Sequence, residues 1–244
     1  MFGKNKKEKE KVIKFYSSDK YTEEVTLRPV PASQMIPQAY KDMLSYFPDN
    51  KLRIFKNLQT NATAKRCAPM LDSVTSGYIF KLYADVLVSN DGEYKNITWK
   101  VQGKNPADAH MTQQTYGMNR TPHSTEQAFK WNNWWIVKTP PGWSTLFIHP
   151  VAYDNLPFHS ISAVVDTDVY EEEIAFPFWL DKDFEGIIEK GTPIIQAIPF
   201  KRASWVSEFD ILKEDEHFLT KEKNSLSILK NNYNKSVRQS KSYR

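Results

Sequence analysis

Asp166-Thr167-Asp168-Val169-Tyr170 holds the most chemistry in the fewest residues of this chain. In an extended strand alternate residues share a face, so Asp166, Asp168 and Tyr170 project together, opposite Thr167 and Val169. Two carboxylates and a phenol on one face suit a general base, a pair that positions water or a sugar hydroxyl, or a shared metal. At a strand end the same side chains suit turn capping, because short acids accept from nearby backbone amides. Both readings stay open at this point.

Two further pieces carry candidate ligand contacts. Pro140-Pro141-Gly142-Trp143-Ser144 is a turn entering a strand. There Gly142 permits close backbone approach, Ser144 offers a donor to a phosphate, and Trp143 offers a face to a base. As plain structure it is a rigid turn with a buried Trp. Gly191-Thr192-Pro193-Ile194-Ile195-Gln196 is a turn followed by a buried strand with one amide, Gln196. A buried amide needs partners, so Gln196 either ties strands together or meets a ligand.

The five histidines show no ligand spacing, and the single cysteine, Cys67, leaves no internal disulfide or cysteine metal site. A zinc site is therefore not expected. There is no Walker loop, dinucleotide glycine fingerprint or nucleophile elbow.

The elements that must position these residues are mostly short strands. Of the 244 residues 14% are aromatic, and 14 Pro stand against 8 Gly, a balance that suits many strands joined by proline turns. An extended start is expected over 12–16 and again over 24–31. A short amphipathic helix follows, with Pro37 in its first turn and Ile36, Tyr40, Met43, Leu44 and Phe47 at helical spacing. One long strand is expected over 78–88. It turns at Asn90-Asp91-Gly92 and returns over 94–102. A polar loop over 103–128 separates this hairpin from strands over 129–138, 144–149, 161–165, 173–180 and 192–200. From Ser207 the pattern becomes helical, with Ile211, Leu212, Phe218, Leu219, Leu226 and Leu229 forming a seam that could pack on another subunit.

The expected organisation is a basic tail over 1–11, a lead-in with a short helix over 12–60, a β body over 61–205, and a helix with a basic tail over 206–244. The fold class is mainly β (α+β overall), a β-clip or jelly-roll-like barrel or sandwich. The net charge of +4 is concentrated at the ends, six Lys against two Glu falling in the first fourteen residues. Such ends are solvated tails, or arms that touch nucleic acid or an acidic partner. No signal-peptide run or membrane-length segment is present, so the expected setting is soluble and reducing.

The order FYSSD, PVPAS, KRCAPMLDSVTSGYIF, PPGWS, VVDTD and GTPIIQAIPFKR resembles a family of uncharacterised proteins encoded mostly by tailed phages. The resemblance implies a viral origin, in host cytoplasm or virion. A second likeness covers about 72–200. There Ser76-Gly77-Tyr78, Gly142-Trp143-Ser144, Val164-Val165-Asp166-Thr167-Asp168 and Ile194-Ile195-Gln196 resemble the β-clip group of dUTPases and dCTP deaminases. That likeness implies a distorted, often trimeric barrel in which Asp166 activates water, a nearby Tyr packs on deoxyribose and Gln196 faces the nucleotide. No cofactor is expected, and magnesium belongs to the enzyme alternative only.

The few catalytic constellations and the charged ends favour a non-enzymatic phage protein. It is expected to be a virion or assembly component, or a binding module, partnered by copies of itself or by other phage proteins. The alternatives are a nucleotide-binding or nucleotide-hydrolysing enzyme with Asp166 and Asp168 catalytic, and a nucleic-acid contact protein acting through its tails. In any of these, Gly142, Trp143, Ser144, Tyr170 and Gln196 are the candidate ligand contacts.

Overall fold

A computed structural model of the chain describes residues 11–48, 62–92, 94–211, 218, 238–239 and 241–244, and the backbone of strands at 53–55 and 58–60. The basic tail over 1–10 and the seam residues Leu212, Leu219, Leu226 and Leu229 lie outside the described residues.

Along the chain the elements are β1 (Lys14–Ser17), α1 (Lys20–Val25), β2 (Val30–Pro31), α2 (Gln38–Asp42), β3 (Arg53–Phe55), β4 (Leu58–Thr60), α3 (Ala68–Thr75), β5 (Tyr78–Lys81) and β6 (Val86–Asn90). There follow β7 (Lys95–Thr98), β8 (Ala107–Ala109), β9 (Ser124–Trp131), β10 (Trp135–Lys138), β11 (Trp143–Ile148) and β12 (Phe158–Ser160). The last four are β13 (Ala163–Val165), β14 (Phe176–Asp181), β15 (Gly186–Ile188) and β16 (Pro193–Lys201). The protein is mainly β, built of several antiparallel sheets with few helices.

The chain divides into two compact units, one of residues 1–30 and 77–202, the other of 31–76 and 203–244. The first holds a five-stranded sheet in the order β13-β11-β16-β5-β2 and a four-stranded sheet in the order β12-β14-β9-β8, with β15-β6-β7 and β1-β10 as smaller sheets. β16 is central because its first five residues are buried on both faces, where an edge strand would alternate. The core is aromatic. Trp131 stacks on Phe178 with centroids 3.8 Å apart, and Phe80, Phe147 and Phe176 pack edge-on and tilted beside them. Each such ring contributes about 2–3 kcal/mol by leaving water.

In the second unit α3 starts after Cys67 with Pro69 in its first turn. Its Asp72, nearly buried, accepts from Arg238 and from Lys241 Nζ (2.7 Å). Those two cations hold the Asp72 carboxyl below its ordinary range.

Several expectations need correction. The strand expected over 78–88 is two strands in different sheets, β5 and β6. Between them the 190–192 turn captures the backbone: Gly191 N–H donates to the Leu82 carbonyl (2.7 Å) and Lys190 N–H to Asp85 (2.6 Å). The extended start over 24–31 begins instead inside α1, which Asp19 caps by accepting from Thr22 N–H. The helix expected to reach Phe47 stops at Asp42, leaving Leu44 and Phe47 exposed. The return strand is only β7. α3 was not anticipated, because its eight residues are too few to show helical period.

The strand over 129–138 breaks at Asn133, whose side chain bonds both the N–H and the carbonyl of Trp135. The loop over 103–128 contains β8, a 3-10 turn at Thr112–Thr115 and the start of β9. The helix expected from Ser207 is absent over 207–211, where the chain has no regular structure.

Candidate functional site

Asp166 and Asp168 sit just past β13, at the end where Trp143 of β11 pairs with Lys201 of β16. They do not lie on a strand face. Val169 and Tyr170 N–H both donate to the Asp166 carbonyl, folding 166–170 into a turn. Thr167 points inward and is fully buried. Its hydroxyl bonds Thr139 Oγ1 and Thr145 Oγ1, each at 2.8 Å, a hydroxyl chain that pins the turn to the sheet. The two aspartates therefore converge because a turn wraps around Thr167, and the phenol of Tyr170 does not join them by strand alternation.

What they converge on is Arg202, the residue after β16. Arg202 Nη1 donates to Asp168 Oδ1 (2.7 Å), Asp166 Oδ1 (3.2 Å), Ser144 Oγ (3.1 Å) and the Trp143 carbonyl (3.1 Å), and Nη2 donates to Asp168 Oδ2. Asp168 Oδ2 also accepts from Gly142 N–H (2.7 Å), and Asp166 Oδ1 from Ser144 Oγ (2.6 Å). Gly142, at φ +83°, bends the chain so that its amide faces the carboxylate.

The Asp168 side chain is 5% exposed and that of Asp166 58%. Hydrogen bonds from Arg202 and then Gly142 outweigh desolvation and hold the Asp168 carboxyl down to about 2, and the same pairing raises Arg202. The cluster is a lock between the β11 entry turn, the β13 exit and the β16 end. Asp166 is its one solvent-facing carboxylate.

The structure thus brings Gly142, Trp143, Ser144, Asp166 and Asp168 together. The Trp143 ring is covered by Lys11 Nζ at 5.3 Å, and Tyr170 is 41% exposed at the rim. Gln196 is elsewhere. It pairs with Ile148 at the opposite end of the β11–β16 ladder, roughly 13 Å along the strand from Phe200, the partner of Ser144. It is fully buried, and its Oε1 accepts from Val151 N–H at 3.0 Å, tying the 149–156 loop to the sheet.

Arg202 was not assigned a role from sequence. The signal was present: a pair of acids at a strand end requires a cation, and Lys201-Arg202 closes the neighbouring strand. Among the described residues no group of three or more His, Cys, Asp or Glu side chains is placed to hold a metal ion, and no helix is long and apolar enough to cross a membrane.

The other candidate surface is the segment that Arg202 leads into. Residues 203–211 form no regular element, and Trp205, Val206, Phe209 and Ile211 are 90% exposed or more. Comparison with protein-family models, curated proteins and solved structures returns no match.

Proposed function

We propose that this chain is a non-enzymatic assembly protein of tailed-phage origin, working in host cytoplasm or virion, whose β-clip or jelly-roll-like body presents an apolar arm to a second copy of itself. The observation that carries this reading is the arm over 203–211, in which Trp205, Val206, Phe209 and Ile211, four large apolar side chains set among polar ones, are held in water. Their combined area is roughly 700 Å², close to the ~800 Å² that one partner contributes to a standard interface.

The same chain offers a matching surface. On the outer face of the five-stranded sheet Val164, Leu146 and Ile198 stand abreast in register, and Val164 is 58% exposed. The lock formed by Arg202 fixes the point from which the arm leaves β16.

Sedimentation of the full chain tests the reading. An oligomer that dissociates in Trp205→Ser/Phe209→Ser, and separately in Val164→Glu, supports it. A monomer at all concentrations, or an oligomer indifferent to all three changes, refutes it.

A nucleotide-binding reading has one observation in its favour: Ser144 and Arg202 place a hydroxyl and a guanidinium beside the exposed Asp166. A phosphate there must displace Asp168 from Arg202. A thermal-shift series with deoxynucleotides and magnesium, repeated on Asp166→Ala, decides it, because a ligand held by the folded state raises the melting temperature.

A further inference from the structure

We propose that the 149–156 loop is a pH-gated flap over the outer edge of β12, released when His149 takes up a proton at Nδ1. β12 lies at one edge of its four-stranded sheet. Its odd-numbered residues face β14: Ile161 N–H donates to the Pro177 carbonyl (2.8 Å), and the Pro157 carbonyl accepts from Asp181 N–H (2.9 Å). Ser160 N–H therefore points the other way, out of the sheet edge. There it meets His149, the first residue after β11, and donates to Nδ1 at 3.2 Å. An edge amide without an acceptor is where further strands pair, so this contact closes the edge.

These two partners dictate where the ring carries its proton. A backbone N–H can only donate, so Nδ1 must be bare. The Tyr153 carbonyl can only accept, so the proton sits on Nε2, 3.2 Å away. The neutral ring fits both. The imidazolium carries N–H at both positions, and its Nδ1–H faces the Ser160 N–H, donor against donor. Ser160 is fully buried and its hydroxyl donates to the Ile194 carbonyl (2.6 Å), so the strand is held and the loop is the side that yields.

The loop is also strained. Ala152 has φ +66°, the one non-glycine residue at positive φ among the described residues. Val151 N–H, donating to Gln196 Oε1 (3.0 Å), and the His149 contacts tie the loop down on either side of β12 and β16.

Titratable groups surround the ring on every side. His159 of β12 stacks on it with centroids 4.6 Å apart, and Asp154 belongs to the loop. His123, just before β9, and Asp181 of β14 line the same cleft. Burial disfavours the charged ring most, the Tyr153 carbonyl opposes it, His159 acts with burial and Asp154 against it. The open loop takes up the proton first, so acid drives opening. This inference is independent of the assembly arm.

Hydrogen exchange of single amides in the full chain, followed by NMR from about pH 7.5 to about pH 5 and divided by the intrinsic rate at each pH, tests it. The expected result is a Ser160 protection factor that falls about tenfold over this range, while that of Ile161, on the inner side of β12, holds. His149→Gln keeps an acceptor and a donor but cannot take up the proton, and flattens the Ser160 response. His159→Gln leaves it in place. A Ser160 protection factor independent of pH overturns the proposal. So does a fall shared equally by Ile161, which is loss of the whole sheet, or one that persists in His149→Gln or vanishes in His159→Gln. Should His149→Gln not fold, spectra of the wild-type chain with its five histidines labelled with 15N decide: His149 must be the Nε2–H tautomer at about pH 7.5 and gain its second proton in step with the Ser160 change, and the other tautomer overturns the proposal equally.

Discussion

Arg202 and Asp168 face each other as a two-pronged pair at the end of the five-stranded sheet, Nη1 donating to Oδ1 and Nη2 to Oδ2. The geometry has a pH signature. The folded Asp168 titrates at about 2, below the ordinary value near 3.9, so the folded state favours the ionised form. Its contribution is present above the ordinary value and is lost as pH falls through about 2. Asp168→Asn is therefore expected to lower the denaturation midpoint by a constant amount from pH 7 to about 5, with the gap to wild type closing between about pH 4 and 2. A gap independent of pH would show that the pair acts through packing alone.

Gly77 immediately precedes β5 with φ +73°, and a Cβ placed on it would lie 2.0 Å from the Ala197 carbonyl oxygen. Backbone cannot move aside as a side-chain tip can. Gly77→Ala is expected to cost at least about 2 kcal/mol in urea denaturation. Gly92 supplies the control: its φ is +99° with nothing within 4 Å, so Gly92→Ala should show the conformational term alone, about 1 kcal/mol.

Phe178 is fully buried against Trp131, Phe129 and Phe158. Phe178→Ala leaves a cavity among rings that cannot close over it, and a loss of about 3–5 kcal/mol is expected. Phe178→Leu should cost less than half as much. Equilibrium unfolding followed by tryptophan fluorescence measures both.

His149 gives the opposite kind of titration. Burial is the main reason its pKa lies below the ordinary value, with His159 acting the same way and the Tyr153 carbonyl and Asp154 opposing. The unfolded chain takes up the proton first, so stability falls as pH drops below about 6.5. His149→Gln should remove that part of the slope between pH 7 and 5. An unaltered slope would place the acid sensitivity elsewhere.

That the protein is mainly β was readable from composition, because aromatic, β-branched and proline-punctuated pieces favour strands. Strand boundaries were not. Leu82 to Asp85 reads as continuous with its flanks, and only the distant 190–192 turn breaks it there. The two aspartates stood out by type, but their convergence depends on Thr167 being drawn inward by Thr139 and Thr145, which are remote in sequence. Arg202 fell outside the motif it completes. His149, in the loop after β11, stacks on His159 of β12, and nothing in their spacing announces the contact.

The central position of β16 also governs how the chain folds during its synthesis. β5 begins at Tyr78, yet its partner spans Pro193–Lys201, so the five-stranded sheet cannot close until more than a hundred further residues have been made. At ribosomal rates that interval is on the order of ten seconds, during which β5 and β11 have unpaired edges in a nascent chain. The unit of 1–30 and 77–202 is thus completed almost as soon as Arg202 emerges, and the apolar arm is made immediately afterwards. Residues 203–211 are therefore made only after the last strand of that unit.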